Sequence, residues 1–351
     1  MYSVGSLFAG IGGICLGFKN SGADIFWANE WDKNACKTYR NNFNHNLIEN
    51  DIHNLKSTEL KKVDIITSGF PCQAFSIAGQ RKGFNDNRGD LFFETMRLVK
   101  EIRPKVVFFE NVKNLISHDK GNTFKVIEKE VRNAGYTFNS FVLNTSKYGN
   151  IPQNRERIYI IGFDKKNVSL NHITKLNKDM IEHLLKPKKQ PLKKTIHDII
   201  YSSKQEEKYY YNNSKYFPTL KKEMKNKDTI YQWRRVYVRE NKNNVCPTLT
   251  ANMGTGGHNV PLILDKYGIR KLTPMECAKF QGFPENFKFP TEMANSHRYK
   301  QIGNSVSIPV IQKIALNIMN MLKSNDIYRK KEQDYYKIKK QLNLFEEKIA
   351  A

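Results

Sequence analysis

Long hydrophobic runs are missing from this sequence: no apolar stretch approaches the roughly 18–20 residues of a spanning helix. The amino terminus lacks a basic segment followed by an apolar core, the mark of an export signal. Cysteines are few and scattered (Cys15, Cys36, Cys72, Cys246, Cys277). With no Cys-x-x-Cys or clustered Cys/His spacing they suggest no metal site, and an odd five makes no disulfide framework. A reducing, cytoplasmic compartment is expected of such a chain. Internal repeats are absent too. Acidic residues run short: 34 Asp and Glu face 58 Lys and Arg, a formal net charge of +24 in 351 residues. That excess argues for a polyanionic partner, nucleic acid before an anionic membrane surface. Lys- and Asn-rich composition also accompanies AT-rich genomes, so the charge alone does not decide the point. Hydrophobic residues at 39% and aromatics at 12% supply a core, which excludes global disorder.

What is present alternates between two periods. Residues 3–8, 24–28, 64–68 and 105–109 read as buried strands, and 138–144 with 157–163 as a late hairpin-like pair. Residues 14–21, 91–102 and 124–134 carry apolar residues at helical spacing. Strands alternating with helices indicate a doubly wound α/β sheet. After residue 163 the character changes. Residues 164–194 are crowded with lysine, and 201–244 are rich in Tyr, Asn and Lys with little periodicity. Such a stretch is either a solvated linker or a polar binding surface. Residues 308–321 form an amphipathic helix pattern, and 326–351 are highly charged helix formers, a surface helix or a frayed tail.

The most informative residue is Cys72, in Gly69-Phe70-Pro71-Cys72-Gln73 at the end of the third buried run. The carboxyl edge of an open α/β sheet is where ligands bind, so a thiol there is placed as a nucleophile. A lone cysteine is more often inert packing, and the neighbours must decide. Phe8-Ala9-Gly10-Ile11-Gly12-Gly13 joins the first strand to the first helix, where glycines let the backbone approach a ligand closely; a tight turn with a helix cap is the plainer reading. The third glycine of a dinucleotide fingerprint is missing, since Cys15 stands in its place. Glu30 ends the second strand and can accept from ribose hydroxyls, while Trp31 can stack on a purine and Asp51-Ile52 can meet adenine. Nucleoside binding without a pyrophosphate clamp points to S-adenosylmethionine. Glu110, in Phe109-Glu110-Asn111-Val112, brings a carboxyl to the same edge as Cys72, where enclosure raises its pKa. In Gln153-Asn154-Arg155-Glu156-Arg157 the two arginines alternate onto one face. They clamp a phosphate, orient a base or form surface pairs.

Taken in order, these motifs resemble those of bacterial DNA (cytosine-5-)-methyltransferases. Arg270-Lys271-Leu272-Thr273-Pro274-Met275-Glu276-Cys277, Gln281-Gly282-Phe283-Pro284 and Gln301-Ile302-Gly303-Asn304-Ser305-Val306 continue the series. It spans almost all of the chain except the charged carboxy-terminal stretch. Singly the motifs are weak; seven in family order are specific. The resemblance implies Cys72 as nucleophile at cytosine carbon-6 and Glu110 as acid at ring nitrogen-3. Arg155 would hold the base and position the thiolate, with Arg157 supporting it. Phe8, Gly10, Gly12, Gly13, Glu30, Trp31, Asp51, Ile52, Pro71, Leu91 and Asn304 would line the cofactor site. Residues 73–88, with Gln73, Ser76 and Arg88, resemble the loop that closes over a flipped base. Thr248-Leu249 resembles a dipeptide of the target-recognition region.

The implied architecture is a Rossmann-like methyltransferase domain, residues 1–180 plus 294–325, with a smaller, irregular target-recognition domain, 181–293, and a charged extension, 326–351. The expected partner is double-stranded DNA, with no metal and no membrane, and the chain is expected to act as a monomer in a restriction-modification system. Three rivals compete. A transfer-RNA cytosine-5 methyltransferase uses the same constellation, but Cys72-Gln73-Ala74-Phe75-Ser76 favours DNA. A nicotinamide-dependent dehydrogenase lacks support without the third glycine. A silent DNA-binding relative would need to have lost Cys72, Glu110 or Arg155, and all three are present.

Overall fold

Apolar runs bounded by Gly, Pro and Asn become strands β1 (Ser3–Leu7), β2 (Asp24–Glu30), β3 (Asn46–Glu49), β4 (Ile65–Ser68), β5 (Val106–Val112), β6 (Asn139–Asn144) and β7 (Glu156–Phe163). The structure, a computed structural model, describes residues 1–71, 91–169, 178–234, 237–254 and 261–350. The seven strands form one sheet in the order β3-β2-β1-β4-β5-β7-β6. The first five are parallel, and β7 runs antiparallel between β5 and β6. The doubly wound fold and the late strand pair agree with the sequence reading.

Both faces of the sheet are covered, which is why its central strands are apolar throughout rather than alternating. Val106 and Phe108 face one core, Val107 and Phe109 the other. On the first face, the helix Gly13–Asn20 and the long helix Ile308–Ala350 pack on the strands, with the Phe18 and Phe108 rings edge-on at 5.3 Å. The second face is closed by Leu91–Ile102, whose Phe92, Thr95, Met96, Leu98, Val99 and Ile102 are all buried. That i, i+3, i+4, i+7 spacing makes a single apolar stripe. Phe92 meets Phe70, just upstream of Cys72, at 5.2 Å; such a pair adds about 0.5–1.5 kcal/mol beyond its area.

Three expectations change. The recognition region is not irregular: β8 (Tyr231–Arg234), β9 (Tyr237–Glu240), β10 (Pro261–Asp265) and β11 (Gly268–Lys271) form an antiparallel sheet ordered β11-β10-β8-β9. Its strands are four or five residues long, and with the helix Phe217–Glu223 and its cap Met224 they build a small core of Leu220, Met224, Tyr231, Leu262 and Ile269. The expected division between residues 180 and 181 falls inside a helix, Lys178–Leu185. Ile181 and Leu185 are buried in the main core, and the Asn317 side-chain amide donates to the Leu185 carbonyl at 3.1 Å. Finally, the carboxy-terminal patterns are one continuous 43-residue helix, Ile308–Ala350. Within Asn295–Lys331 an 18-residue window has a mean hydropathy of 1.2, enough for a membrane span by length and composition alone. That window is 61% buried, with Ile311, Ile314, Ile318 and Leu322 in the core.

Buried charge fastens the second sheet to the helix that follows it. Arg270 on β11 is fully buried and donates to both Glu276 oxygens at 2.7 and 2.8 Å and to Asp265 at 2.6 Å. Glu276 also completes a capping box with Thr273 at the start of Pro274–Gln281. The motif from Arg270 to Cys277 therefore acts as a structural joint.

Candidate active site

The carboxyl ends of β1, β2, β4 and β5 and the amino end of antiparallel β7 lie along one edge of the sheet. A crevice there, at the point where strand order reverses, is the expected ligand site of an open α/β sheet. The register delivers specific side chains to it: Val112 pairs with Arg157 and Glu110 with Tyr159.

The turn after β1 adopts left-handed backbone at Phe8 (φ 52°) and Gly10 (φ 57°). At Gly10 an added Cβ would meet nothing within 4 Å, so the backbone borders open space. Its N–H donates to Glu30 Oε2 at 2.8 Å, and the Trp31 and Asp32 amides donate to Oε1 at 2.9 Å each. Three amides thus fix the Glu30 carboxyl. Burial raises its pKa, and the bonds from Asp32, Gly10 and Trp31 oppose that rise. Trp31 is 69% exposed, an indole face left open beside the turn. Asp51 accepts from the His53 amide at 3.0 Å and ring at 2.5 Å. Burial pushes the Asp51 carboxyl up, but the His53 bonds outweigh it and hold the group below its ordinary value. Ile52 is 3% exposed and packs in the core with Leu55 and Trp27, while Leu91 is half-buried. Asn304 is exposed at the end of Asn295–Asn304, directly before Ser305 and Val306, whose side chains crowd Gly13.

Gly12 and Gly13 are hemmed in by their neighbours, which the sequence did not show. A Cβ on Gly12 would stand 2.2 Å from the Phe43 ring, and one on Gly13 would stand 2.7 Å from Ser305 Oγ. Those two glycines serve close packing, and Gly10 alone of the three opens onto free space. An open backbone turn, a fixed carboxyl and a bare indole together fit a nucleoside that carries no pyrophosphate.

The second half of the site is a buried carboxyl. Glu110, 7% exposed, lies 3.3 Å from Arg157 Nε, yet among the described residues its Oε1 has no hydrogen-bond partner. An orphaned buried acceptor is costly and marks a place for a ligand proton. Burial raises the Glu110 pKa; Arg157 and then Arg155 pull it back. Next to it, the Asn111 side-chain amide donates to the Phe70 carbonyl at 2.8 Å. That bond fixes the backbone one residue before exposed Pro71 and two before Cys72. Sequence reasoning missed Asn111, although it lies inside the motif that flagged Glu110.

Arg155 lies near both Glu110 and Arg157, but its guanidinium is turned inward rather than lying open as alternation suggested. It is 2% exposed and donates to the carbonyls of Leu249 at 2.8 Å, Gly303 at 3.2 Å and Ser305. The reason is that Arg155 precedes β7, so strand alternation does not govern it. Burial and then the like charge of Arg157 depress its pKa, while Glu110 opposes them. Leu249 also departs from expectation: its side chain is 1% exposed core, and only its carbonyl does polar work. Thr248 is half-buried, its hydroxyl donating to the Asn154 carbonyl at 2.6 Å. Cys72, Gln73, Ser76 and Arg88 lie outside the described residues. Cys15, Cys36, Cys246 and Cys277 are buried and unpaired.

Arg155→Ala is expected to leave three buried carbonyls unpaired and to lower stability by about 3 kcal/mol or more. Arg157→Ala is expected to melt near the wild type but turn over slowly. Urea unfolding of both, beside single-turnover rates, checks the division of labour; equal melting of the two would refute it.

This fold and edge define an S-adenosylmethionine-dependent methyltransferase. The family model for C-5 cytosine-specific DNA methylases matches residues 2–320, and the chain belongs to that family. It is 54% identical over 323 residues to Type II methyltransferase M.Bsp6I of Bacillus sp. (strain RFL6), covering 91% of this chain and 98% of that one. It is 39% identical over 330 residues to Type II methyltransferase M.HhaI of Haemophilus parahaemolyticus, covering 90% and 94%. Among solved structures, S. pombe Dnmt2 methyltransferase superposes with a TM-score of 0.69 at 18% identity, covering 92% of this chain and 99% of the other. At that identity the likeness speaks for the fold alone. The protein is therefore a DNA cytosine-5 methyltransferase that uses S-adenosylmethionine.

Proposed function

We propose that this chain methylates a cytosine swung out of a short, specific duplex site, with Cys72, Glu110 and Arg157 as its catalytic side chains, and that it serves a restriction-modification system. The observation that carries the catalytic reading is the orphaned, buried Glu110 carboxyl beside Arg157, on the edge that leads through Phe70 and Pro71 to Cys72. The relatives' Type II designation supports the biological role. Its place of action is the bacterial cytoplasm, where the DNA is.

Carbon-5 of cytosine is too weak a nucleophile to take a methyl group unaided. Addition of the Cys72 thiolate at carbon-6, with a proton from Glu110 to nitrogen-3, makes carbon-5 enamine-like. The bound cofactor supplies a methyl group on an electrophilic sulfonium. Gly10, Glu30, Trp31, Asp51 and Asn304 would hold the cofactor. Once carbon-5 carries the methyl, loss of its proton lets the bond to Cys72 break and frees the product. Arg157 steadies the Glu110 carboxyl between its two protonation states. Arg155, anchored on the carbonyls of Leu249, Gly303 and Ser305 close to Glu110, would help hold the base and position the thiolate. Unstacking the base costs a few kcal/mol, and a second sheet that grips the groove through β8–β11 helps offset it.

Bisulfite sequencing of DNA from cells expressing the chain tests the reading. One recurrent short site with protected cytosines is the expected result. Absence of any protected cytosine, or methyl label entering transfer RNA in place of duplex DNA, would sink it.

A further inference from the structure

We propose that the lysine strap formed by residues 186–194 is a phosphate-binding surface for duplex DNA, distinct from the loop and sheet that meet the target bases; this rests on the DNA-methylating reading above. The strap reads Lys-Pro-Lys-Lys-Gln-Pro-Leu-Lys-Lys, five lysines with no acidic residue among them. A solvated linker of this composition needs no fixed position. This one is pinned along its length. Pro187 is buried, the Gln190 amide donates to the Lys147 carbonyl at 3.0 Å, and the Lys193 and Lys194 amides donate to Asn150 Oδ1 at 2.7 and 3.3 Å. Just upstream, Asn317 caps the Leu185 carbonyl.

The anchoring fixes where the charges stand. Lys147, in the short helix Thr145–Tyr148, and Asn150 belong to the connection between β6 and β7, at the edge where Asn144 pairs with Glu156 and where Arg157 enters the site. The strap therefore lies on the catalytic edge. Lys186, Lys188, Lys189, Lys193 and Lys194 are all exposed. Lys186 approaches Glu182 at 3.9 Å and Lys194 lies near enough to Asp198 to help lower its pKa, while among the described residues Lys188, Lys189 and Lys193 form no ion pair. Like charges held together on a pinned backbone repel one another unless an external anion compensates them. A regularly charged polyanion running along the same edge supplies that compensation, and the DNA substrate is such a polyanion.

Counterion release makes the proposal quantitative. Each phosphate neutralised contributes about 0.9 to the slope of log affinity against log salt for a duplex. The test is a set of salt titrations of the full chain with a mixed-sequence duplex, read by fluorescence anisotropy. For K188Q/K189Q/K193Q/K194Q the slope is expected to become shallower by about 3 to 4, with at least about tenfold weaker binding at physiological salt. The pair variant K193Q/K194Q should show about half that change. As a control, K61Q/K62Q/K165Q/K166Q removes the same charge from exposed positions at the opposite edge of the sheet, and should keep its slope within about 1 of the wild type. Matching thermal midpoints verify that all three variants are folded.

An unchanged slope in the strap variant overturns the proposal, and so does an equal loss in strap and control variants, which would make the charge diffuse background. Loss of binding to phosphatidylglycerol vesicles with duplex binding intact overturns it in favour of a membrane surface. A wild-type chain that methylates no cytosine while the slopes behave as stated sinks the catalytic reading and leaves the strap standing.

Discussion

Replacing Cys72 by serine or alanine is expected to abolish methyl transfer, by on the order of 10⁴-fold or more, while duplex binding persists. A thiol, through its thiolate, is able to add to cytosine carbon-6 at neutral pH. A serine hydroxyl has no comparable fraction ionised, and nothing in Glu110 or Arg157 acts as a base strong enough to activate it. The surroundings that position the chain before residue 72 are independent of the thiol: Phe70 is packed on Phe92 and its carbonyl is held by Asn111. The fold and the DNA contacts should therefore survive the substitution. Tritiated methyl incorporation under single-turnover conditions, read beside a gel-shift titration, separates the two. Near-normal turnover by either variant would end the mechanism.

Glu110→Gln is expected to slow methyl transfer by about 10² to 10⁴-fold. The geometry of the side chain is nearly kept, but glutamine cannot deliver a proton to ring nitrogen-3. The pH dependence gives a second signature. Burial raises the Glu110 pKa despite opposition from Arg157 and Arg155, so its protonated form persists to higher pH than in an ordinary glutamate. Because the protonated form is the donor, activity limited by Glu110 falls as pH rises through that raised value. The glutamine variant should lack this alkaline fall. If the same fall remains in the variant, another group delivers the proton.

Much of this site was legible because its carriers terminate fully buried strands. Glu30, Glu110 and the Pro71-Cys72 step each follow a run with no alternation, and two-sided burial of a parallel sheet leaves that imprint on a sequence. The helix Leu91–Ile102 was read to the residue from its stripe. Strands β8 and β9 were not, because four residues with polar neighbours show too little period to register. The inward turn of Arg155 was not legible for a related reason. Alternation is a property of strands, and the residue lies just before one, where tertiary partners choose the direction of the side chain. Gly12 and Gly13 illustrate a third limit: a glycine needed for packing and one needed for ligand access look identical in sequence, and only the neighbours Phe43 and Ser305 tell them apart.

Arg155 bonds to Leu249 in the stretch that leads to β10, and to Gly303 and Ser305 beside the cofactor turn. Gly303 presses so closely on Thr250 that a Cβ there would stand 2.1 Å from its carbonyl carbon. Modular exchange of specificity follows from that joint. A chimaera that imports a relative's residues between the strap and position 245 inherits a new reading surface on an intact socket. One spliced at 249–251 must bring a matching partner for Arg155 and Gly303, or the two halves will not seat. The fastener thus sets the cut sites at which this scaffold can be taught another sequence.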